Sequence, residues 1–336
     1  MKKLIIAIAV CVCIISCEKE VMTNNKAGDP ALSSSPTLSA DTGSWKQVAD
    51  FAPGQRAFAV AFSLGNKGYI ATGIQRGGAV GRSDFWEYNV QSDCWTQMAR
   101  LPGVGRITAV GFAINGKGYV GTGHGPEGYL NDFWEYDPAD DSWTRKADFP
   151  GGKRTTAAGF SIGNKGYLGT GSDDAGNRKN DFWEYDPATD EWSKKANLPF
   201  SGRSAATGIS INNKGYIGFG VDAETEGFSD FYEYDPQTDS WSRKADIKGV
   251  GRAYASGFSI GDSGYIGTGY SLIKGYLNDF WEYNSTTNSW SPVASFPGIP
   301  RENAAGFSIG NTGYLGTGRN HDQGFEQRDV WSFAKD

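Results

Sequence analysis

The sequence predicts an all-β fold, a six-bladed β-propeller with four antiparallel strands in each blade. Three observations carry this prediction. A phrase like NDFWEYDP occurs six times, units of about 49 residues recur after residue 45, and small and aromatic residues occupy different parts of each unit. The unit length can be read from one arginine that begins each repeat, at Arg56, Arg106, Arg154, Arg203, Arg252 and Arg301.

Each unit contains four strand-like runs. In the third unit these are residues 155–162, 165–171, 180–187 and 191–198, with the tight turn GNKG after the first and DPATD after the third. The first run is rich in Ala and Gly, whereas the third and fourth carry Trp, Tyr and Phe. A unit that is thin at one edge and thick at the other packs around an axis, so the Ala/Gly run is expected innermost. We expect the Trp and Tyr of the third run to fill the gaps between blades.

The last unit stops before a fourth run. The missing strand is supplied at the other end of the repeats, because GSWKQVADF at 43–51 matches DSWTRKADF at 141–149. The N-terminal strand is therefore expected to close the sixth blade beside residues 330–333. Closure of this kind leaves no long free edge of a sheet.

The repeats resemble those of kelch proteins, a group often placed with the central propeller of galactose oxidase. The resemblance covers residues 45–336 and rests on the period near fifty, the later tryptophan and a Gly-Tyr pair in every unit. The usual double glycine is replaced by GTG or a similar triplet, as at 169–171. Galactose oxidase uses a copper site with two histidines and a cysteine-linked tyrosine. Here His124 and His321 lie in different blades, and no zinc pattern occurs, so we expect neither a metal nor a cofactor.

The N-terminus has the features of a secretory signal. Lys2 and Lys3 precede an apolar run over residues 4–15, which is too short to span a bilayer as a helix. The run ends in Ser16 and Cys17, which resembles the lipobox of bacterial lipoproteins. The resemblance implies a signal peptide over 1–16 and a lipidated Cys17. The rest of 17–44 is polar and lacks hydrophobic periodicity, so we expect a flexible tether there. The propeller is then held at the cell envelope, and we expect the outer membrane.

Charge narrows the possible partners. Loss of Lys2 and Lys3 leaves 38 acidic against 30 basic residues, a charge of −8. Such a chain has no electrostatic reason to bind nucleic acid. We expect a monomer attached to the membrane only through its lipid. Cys94 would be the one cysteine besides Cys17, so no disulfide is expected in the mature chain.

One end of the channel is the predicted binding face, because its loops differ most between units. All six arginines precede innermost strands at this end. Their guanidinium groups could form a ring that binds a carboxylate or sulfate. Alternatively, each arginine could pair with the aspartate before the third run of its own unit, which would make the ring a structural feature of the blades.

Positions that break the repeat are the other candidates. Glu302 follows Arg301 where the other units have small or apolar residues, and the nearby loop adds His321. Carboxylates beside a histidine and arginines suit acid–base chemistry on a sugar. Tyr254 and Tyr276, together with Tyr129 and Tyr270, could stack on a sugar ring. A solvated polar loop and ordinary surface aromatics are the alternatives.

These features predict a non-catalytic binding module for a glycan or an envelope protein at the variable face. The alternative is a sugar-processing enzyme, such as a mutarotase or epimerase of the sialic-acid type, which the chain resembles at the level of the fold only. A purely structural role in an envelope complex is a third possibility.

Overall fold

The structure is a computed structural model that describes residues 43–78, 80–225 and 227–335. The expected signal peptide, the expected lipid site at Cys17 and most of the expected tether lie outside these residues. The described residues form six four-stranded antiparallel sheets arranged as the blades of a propeller, which confirms the predicted fold. Within each blade the strands follow one another from the channel outward.

Each strand of a blade is five residues long. In chain order the strands are Val60–Leu64, Lys67–Ala71, Phe85–Asn89 and Cys94–Met98 in blade one; Val110–Ile114, Lys117–Gly121, Phe133–Asp137 and Ser142–Lys146 in blade two; Ala158–Ile162, Lys165–Gly169, Phe182–Asp186 and Glu191–Lys195 in blade three; Thr207–Ile211, Lys214–Gly218, Phe231–Asp235 and Ser240–Lys244 in blade four; Ser256–Ile260, Ser263–Gly267, Phe280–Asn284 and Ser289–Val293 in blade five; Ala305–Ile309, Thr312–Gly316 and Val330–Ala334, with Ser44–Val48, in blade six.

The first and second strands of each blade are shorter than the predicted runs because left-handed residues bound them. In blade three the first strand begins at Ala158, since Thr156 has a φ of 52°. The second strand ends at Gly169, where Thr170 and Gly171 have φ values of 62° and 85°. The GTG triplet is therefore the point at which each second strand turns into the loop above it.

The sixth blade is closed by the N-terminal strand, as predicted. Ser44–Val48 pairs antiparallel with Val330–Ala334, so that Trp45 lies opposite Phe333. The Trp45 ring also packs 5.1 Å from Phe280 in blade five, and its Nε1 donates to the Ala294 carbonyl oxygen at 2.8 Å. One aromatic side chain thus joins the first strand of the chain to two blades.

The channel has two different ends. At the mouth face, the loops from second to third strand and from fourth to next first strand surround the opening. At the turn face lie the tight turns. Ser44 pairs with Ala334, which in turn pairs with Thr312 beside a tight turn, so the chain enters the propeller at the turn face.

Aromatic side chains fill the gaps between blades. Tyr136 of blade two packs 4.6 Å from Phe85 of blade one, with the rings edge to face. Trp143 of blade two lies 5.1 Å from the same ring, and its Nε1 donates to the Ala99 carbonyl oxygen. The contact therefore combines apolar packing with one buried hydrogen bond, and the other blades repeat it.

Cys94 begins the fourth strand of blade one and is disulfide-bonded. That the mature chain has no disulfide stays a prediction, because Cys11 and Cys13 would leave with the signal peptide and lie, like Cys17, outside the described residues. The other cysteines of the sequence all precede residue 43. In the part of the chain that the structure describes, no helix is long and apolar enough to cross a membrane.

Candidate functional site

The six arginines that begin the repeats are buried inside the blades. Each has at most 1% of its surface exposed and makes an ion pair with the aspartate that precedes the third strand. In blade three, Arg154 donates from Nη1 to Asp181 Oδ1 at 2.8 Å and from Nη2 to Oδ2 at 3.0 Å. Its Nη1 also donates to the Thr170 carbonyl oxygen, at 2.8 Å. The pairs are Arg56–Asp84, Arg106–Asp132, Arg154–Asp181, Arg203–Asp230, Arg252–Asp279 and Arg301–Asp329.

Neighbouring groups complete each pair. Trp183 Nε1 donates to Asp181 Oδ2 at 2.9 Å, and the Arg154 guanidinium lies 5.2 Å from the centre of the Phe149 ring. Burial alone would raise the pKa of Asp181, but the bonds and the charge of Arg154 hold it below its usual value. Each arginine therefore pairs with the aspartate of its own unit, which was the alternative to a ligand-binding ring. Their burial does not support a guanidinium ring open to a ligand.

A second ring lies two residues further along each repeat. We call it the collar, and all six of its members adopt left-handed backbone conformations with φ between 52° and 57°. The collar consists of Phe58, Thr108, Thr156, Ala205, Tyr254 and Asn303. Left-handed Phe, Thr and Tyr are rare, so the structure around them must impose this conformation.

A closed circle of backbone hydrogen bonds provides the cause. The N–H of each collar residue donates to the carbonyl oxygen of the collar residue one blade earlier, at 3.0 to 3.3 Å. The circle closes where the Phe58 N–H donates to the Asn303 oxygen, at 3.3 Å. Each blade is thereby joined to the next at the channel mouth, whatever side chain the collar residue carries.

The collar surrounds the upper end of the channel. A cavity of about 130 Å³ is lined by the six collar residues and by the alanines that follow them. A second cavity of about 170 Å³ lies among the first strands, where Ala and Gly predominate. The side chains that distinguish one sector of the channel from another are therefore concentrated at the collar.

Blades five, six and one supply the most chemically varied sector of the collar, formed by Tyr254, Asn303 and Phe58. The Asn303 Nδ2 atom is buried and has no hydrogen-bond partner among the described residues. Burial and the nearby Glu302 raise the pKa of Tyr254, while Arg319 and Arg178 act in the opposite direction. Tyr254 is therefore a neutral phenol that can donate a hydrogen bond at ordinary pH.

Glu302 lies just behind this sector. Only 4% of its surface is exposed, and its Oε1 accepts from Arg319 Nε at 2.7 Å. The Arg319 guanidinium also lies 4.2 Å from the centre of the Phe58 ring. The ion pair thus fixes Arg319 over an aromatic ring of the collar, and Glu302 positions the wall of the mouth.

His321 and Tyr276 lie further out on the rim. His321 begins a short 3-10 helix, His321–Gln323, at the tip of the blade-six loop, and its exposed ring packs edge-on against Phe325 at 5.7 Å. Tyr276 of blade five is near enough that the His321 backbone acts to lower the pKa of its hydroxyl, although burial raises that pKa overall. The structure therefore brings Tyr254, Tyr276, Glu302 and His321 into one sector, but Glu302 pairs with Arg319 and not with the histidine.

Sequence reasoning missed three residues of this sector, Phe58, Arg319 and Asn303, and also Arg178 of the blade-three loop, whose charge acts on Tyr254. A signal for two of them was present, since the position two residues after each arginine changes from Phe through Thr, Thr, Ala and Tyr to Asn. The predicted break in the repeat, at Glu302, lies one residue before this position. Arg178 and Arg319 come from loops whose paths the repeats do not fix.

The described residues contain no group of three or more His, Cys, Asp and Glu side chains able to hold a metal ion. His124 packs edge-on against Tyr129 at 5.0 Å in the blade-two loop, whereas His321 belongs to blade six, on the other side of blade one.

Comparison with known proteins supports the fold. The solved structure of YjhT is similar, with a TM-score of 0.70 and 17% sequence identity, over 83% of this chain and 94% of that one. At this identity the likeness concerns the fold alone. Neither a known protein family nor a curated protein sequence matches the chain.

Proposed function

We propose that the protein is a lipid-anchored binding module of the bacterial cell envelope that takes a glycan at the mouth face. The observation that carries this proposal is the collar sector of Tyr254, Asn303 and Phe58. It combines aromatic surfaces with hydrogen-bond donors around a cavity, and it breaks the repeat. Kelch-type propellers, which the repeats resemble, offer this face for binding because its loops are free to vary.

A sugar fits the chemistry of this sector. Sugar rings present apolar C–H faces that pack on aromatic rings, and hydroxyl groups that need directed hydrogen bonds. The buried Asn303 Nδ2 has no partner among the described residues, and an unmet buried donor costs about 1–3 kcal/mol. A ligand oxygen at the collar would remove that cost once the Asn303 amide rotates to turn Nδ2 toward the cavity. The Tyr254 hydroxyl can supply a second donor.

The position of the expected anchor agrees with this use. The chain enters the propeller at the turn face, where Ser44 lies, so an anchor at Cys17 would be attached to the end opposite the mouth. The mouth face is then free to meet a ligand away from the membrane. The protein would act in the outer membrane, facing the periplasm or the exterior.

A glycan array probed with the full-length protein tests the binding proposal. Asn303→Ala and Tyr254→Ala should weaken binding to any array hit by about 1–3 kcal/mol. Asn164→Ala, in a tight turn at the opposite face, is the matched control and should bind as the wild type does. Unchanged affinity in the collar variants, or a loss in the turn variant, would contradict the proposed site.

Labelling with radioactive palmitate tests the anchor. The wild type should be labelled and found with membranes, while Cys17→Ser should be neither. The mass of the wild type before and after reduction provides the control. A chain without acyl groups that changes mass on reduction would place Cys17 in a disulfide with Cys94 and would contradict lipidation.

The second candidate is an enzyme that interconverts sugar forms, such as a mutarotase or epimerase. The buried Glu302 carboxylate beside Tyr254 favours it, because a carboxylate and a phenol can exchange protons with a sugar. The pairing of Glu302 with Arg319 favours binding alone. Anomer exchange measured by NMR on an array hit separates the two, since catalysis should disappear in Glu302→Gln.

A further inference from the structure

The cavity at the collar is small enough to limit what can enter it. Its volume is about 130 Å³. An apolar protein cavity of about 150 Å³ holds one benzene molecule, so the collar cavity offers room for one six-membered ring or for part of one. Two linked sugar rings do not fit side by side at the level of the collar.

The aperture is also fixed. Six interblade hydrogen bonds close the collar, from Phe58 N–H to Asn303 O and onward around the ring. Widening the opening would break at least one of these bonds and would leave buried backbone groups without partners. The mouth is therefore expected to keep its width when a ligand arrives.

The walls surround the aperture on every side. Loops from all six blades rise around it, and three of them are reinforced as short hairpins: His124–Gly125 with Gly128–Tyr129, Tyr270–Ser271 with Gly275–Tyr276, and Arg319–Asn320 with Phe325–Glu326. An open cleft lets a polymer pass along it. At this mouth, in contrast, a sugar inside a chain is linked to two further sugars, and both of them would have to leave through the same narrow opening. A terminal sugar has only one neighbour to accommodate.

We propose that the collar binds a terminal sugar ring end-on, or the free monosaccharide, and rejects the same sugar inside a chain. This inference rests on the proposed glycan-binding function and specifies its ligand. Asn303 and Tyr254 supply hydrogen bonds to the entering ring, while Phe58, held under Arg319, provides the apolar surface. The remaining collar side chains, Thr108, Thr156 and Ala205, leave space on the opposite side.

Titration calorimetry on the full-length protein tests the inference with three probes for each sugar. Probes are the free monosaccharide, a disaccharide with that sugar at its non-reducing end, and a trisaccharide in which a further residue caps it. Neutral hexoses, N-acetylhexosamines, hexuronic acids and nonulosonic acids are each tested in this way. We expect the first two probes to bind alike and the capped probe to bind about tenfold more weakly or worse.

Two variants locate the effect. Asn303→Ala should weaken the terminal probes by about tenfold and leave little difference between terminal and capped probes. Tyr254→Phe keeps the aromatic ring and removes only the hydroxyl, so it provides the same test if Asn303→Ala does not fold. Asn164→Ala, in a tight turn at the opposite face, should retain full selectivity.

The outcomes separate the two proposals. If none of the probes binds, the glycan-binding function itself fails. Equal binding of capped and terminal probes overturns end-on recognition and leaves glycan binding intact. Selective binding that neither Asn303→Ala nor Tyr254→Phe reduces would place the site away from the collar and overturn the inference as well.

Discussion

The arginine ring and the collar lie two residues apart in every repeat, yet they are used in opposite ways. The ring repeats one side chain six times, and each arginine is buried in an ion pair within its own blade. The collar repeats one backbone conformation six times and changes its side chains from Phe to Thr, Ala, Tyr and Asn.

The difference indicates where function can reside in a repeat protein. When the side chain itself holds the blade together, all six copies must keep it. When the backbone makes the structural contact, the side chain is free to vary. The circle of hydrogen bonds at the collar therefore leaves the residues nearest the channel mouth available for a ligand.

Opening the closed ring should have the largest effect, because both rings depend on closure. Deleting residues 18–52 removes the strand Ser44–Val48, Trp45 and the buried Phe51. Loss of one large buried aromatic residue alone costs about 3–5 kcal/mol, so we expect the free energy of unfolding to fall by more than that. Urea denaturation followed by tryptophan fluorescence measures the change.

Deletion of residues 18–40 is the control for this prediction. It shortens the expected tether and leaves the strand intact, so its midpoint should equal that of the full-length chain. Closely matching midpoints for the two deletions would show that the sixth blade does not need the N-terminal strand.

Alanine substitutions at the arginine ring and at the collar should then differ sharply in how much they lower the free energy of unfolding. Arg154→Ala leaves the Asp181 carboxylate buried without its partner, and such changes cost about 3–5 kcal/mol of stability. Thr156→Ala, two residues later, keeps the backbone bond of the collar and should cost about 0.5 kcal/mol. Urea midpoints give both values, and comparable losses would remove the distinction between the rings.

Acid should weaken the arginine ring and not the collar. The pKa values of Asp84, Asp132, Asp181 and Asp279 are lowered in the folded state: burial alone would raise them, but arginine pairing outweighs it. Their stabilising contribution is therefore complete above the unfolded value near 3.9 and is lost as pH falls through the lower folded values.

Thermal melting between pH 7 and pH 2.5 checks this prediction. We expect a plateau down to about pH 4 and a steep fall below it, since the lowered pKa values make the folded state bind fewer protons than the unfolded chain. Thr156→Ala should show the same profile as the wild type. A melting temperature that begins to fall well above pH 4 would indicate that other groups control acid stability.

Much of this architecture could be predicted from the sequence, because the repeat displays its own pattern. The blade count, the strand order and the closing strand follow from the six copies of the aromatic phrase and from the match between residues 43–51 and 141–149. Phe, Tyr and Trp recur at fixed positions because they fill equivalent gaps between blades.

The site was less predictable, for a physical reason. The collar is created by hydrogen bonds between blades, and these force Phe58 and Tyr254 into a conformation that their sequence does not favour. Arg319 reaches Phe58 from another blade, which the repeat pattern does not reveal. Tyr254 was predicted for its aromatic ring, whereas the collar position that makes it important became clear only from the backbone.

The smallest expected effect tests the backbone of the collar directly. At Ala205, which has a φ of 56°, replacement by Gly removes the steric cost of the left-handed conformation, about 1–2 kcal/mol, and adds an entropic cost of about 0.5–1 kcal/mol. The net change should be a stabilisation of between about 0 and 1.5 kcal/mol. Ala206→Gly is the matched control, because Ala206 does not have a positive φ and bears only the entropic cost. Its variant should lose about 0.5–1 kcal/mol. Urea denaturation of the two single variants gives the comparison. If both lose stability equally, the left-handed collar is not strained, and the hydrogen-bonded circle does not impose a conformation that side chains would otherwise avoid.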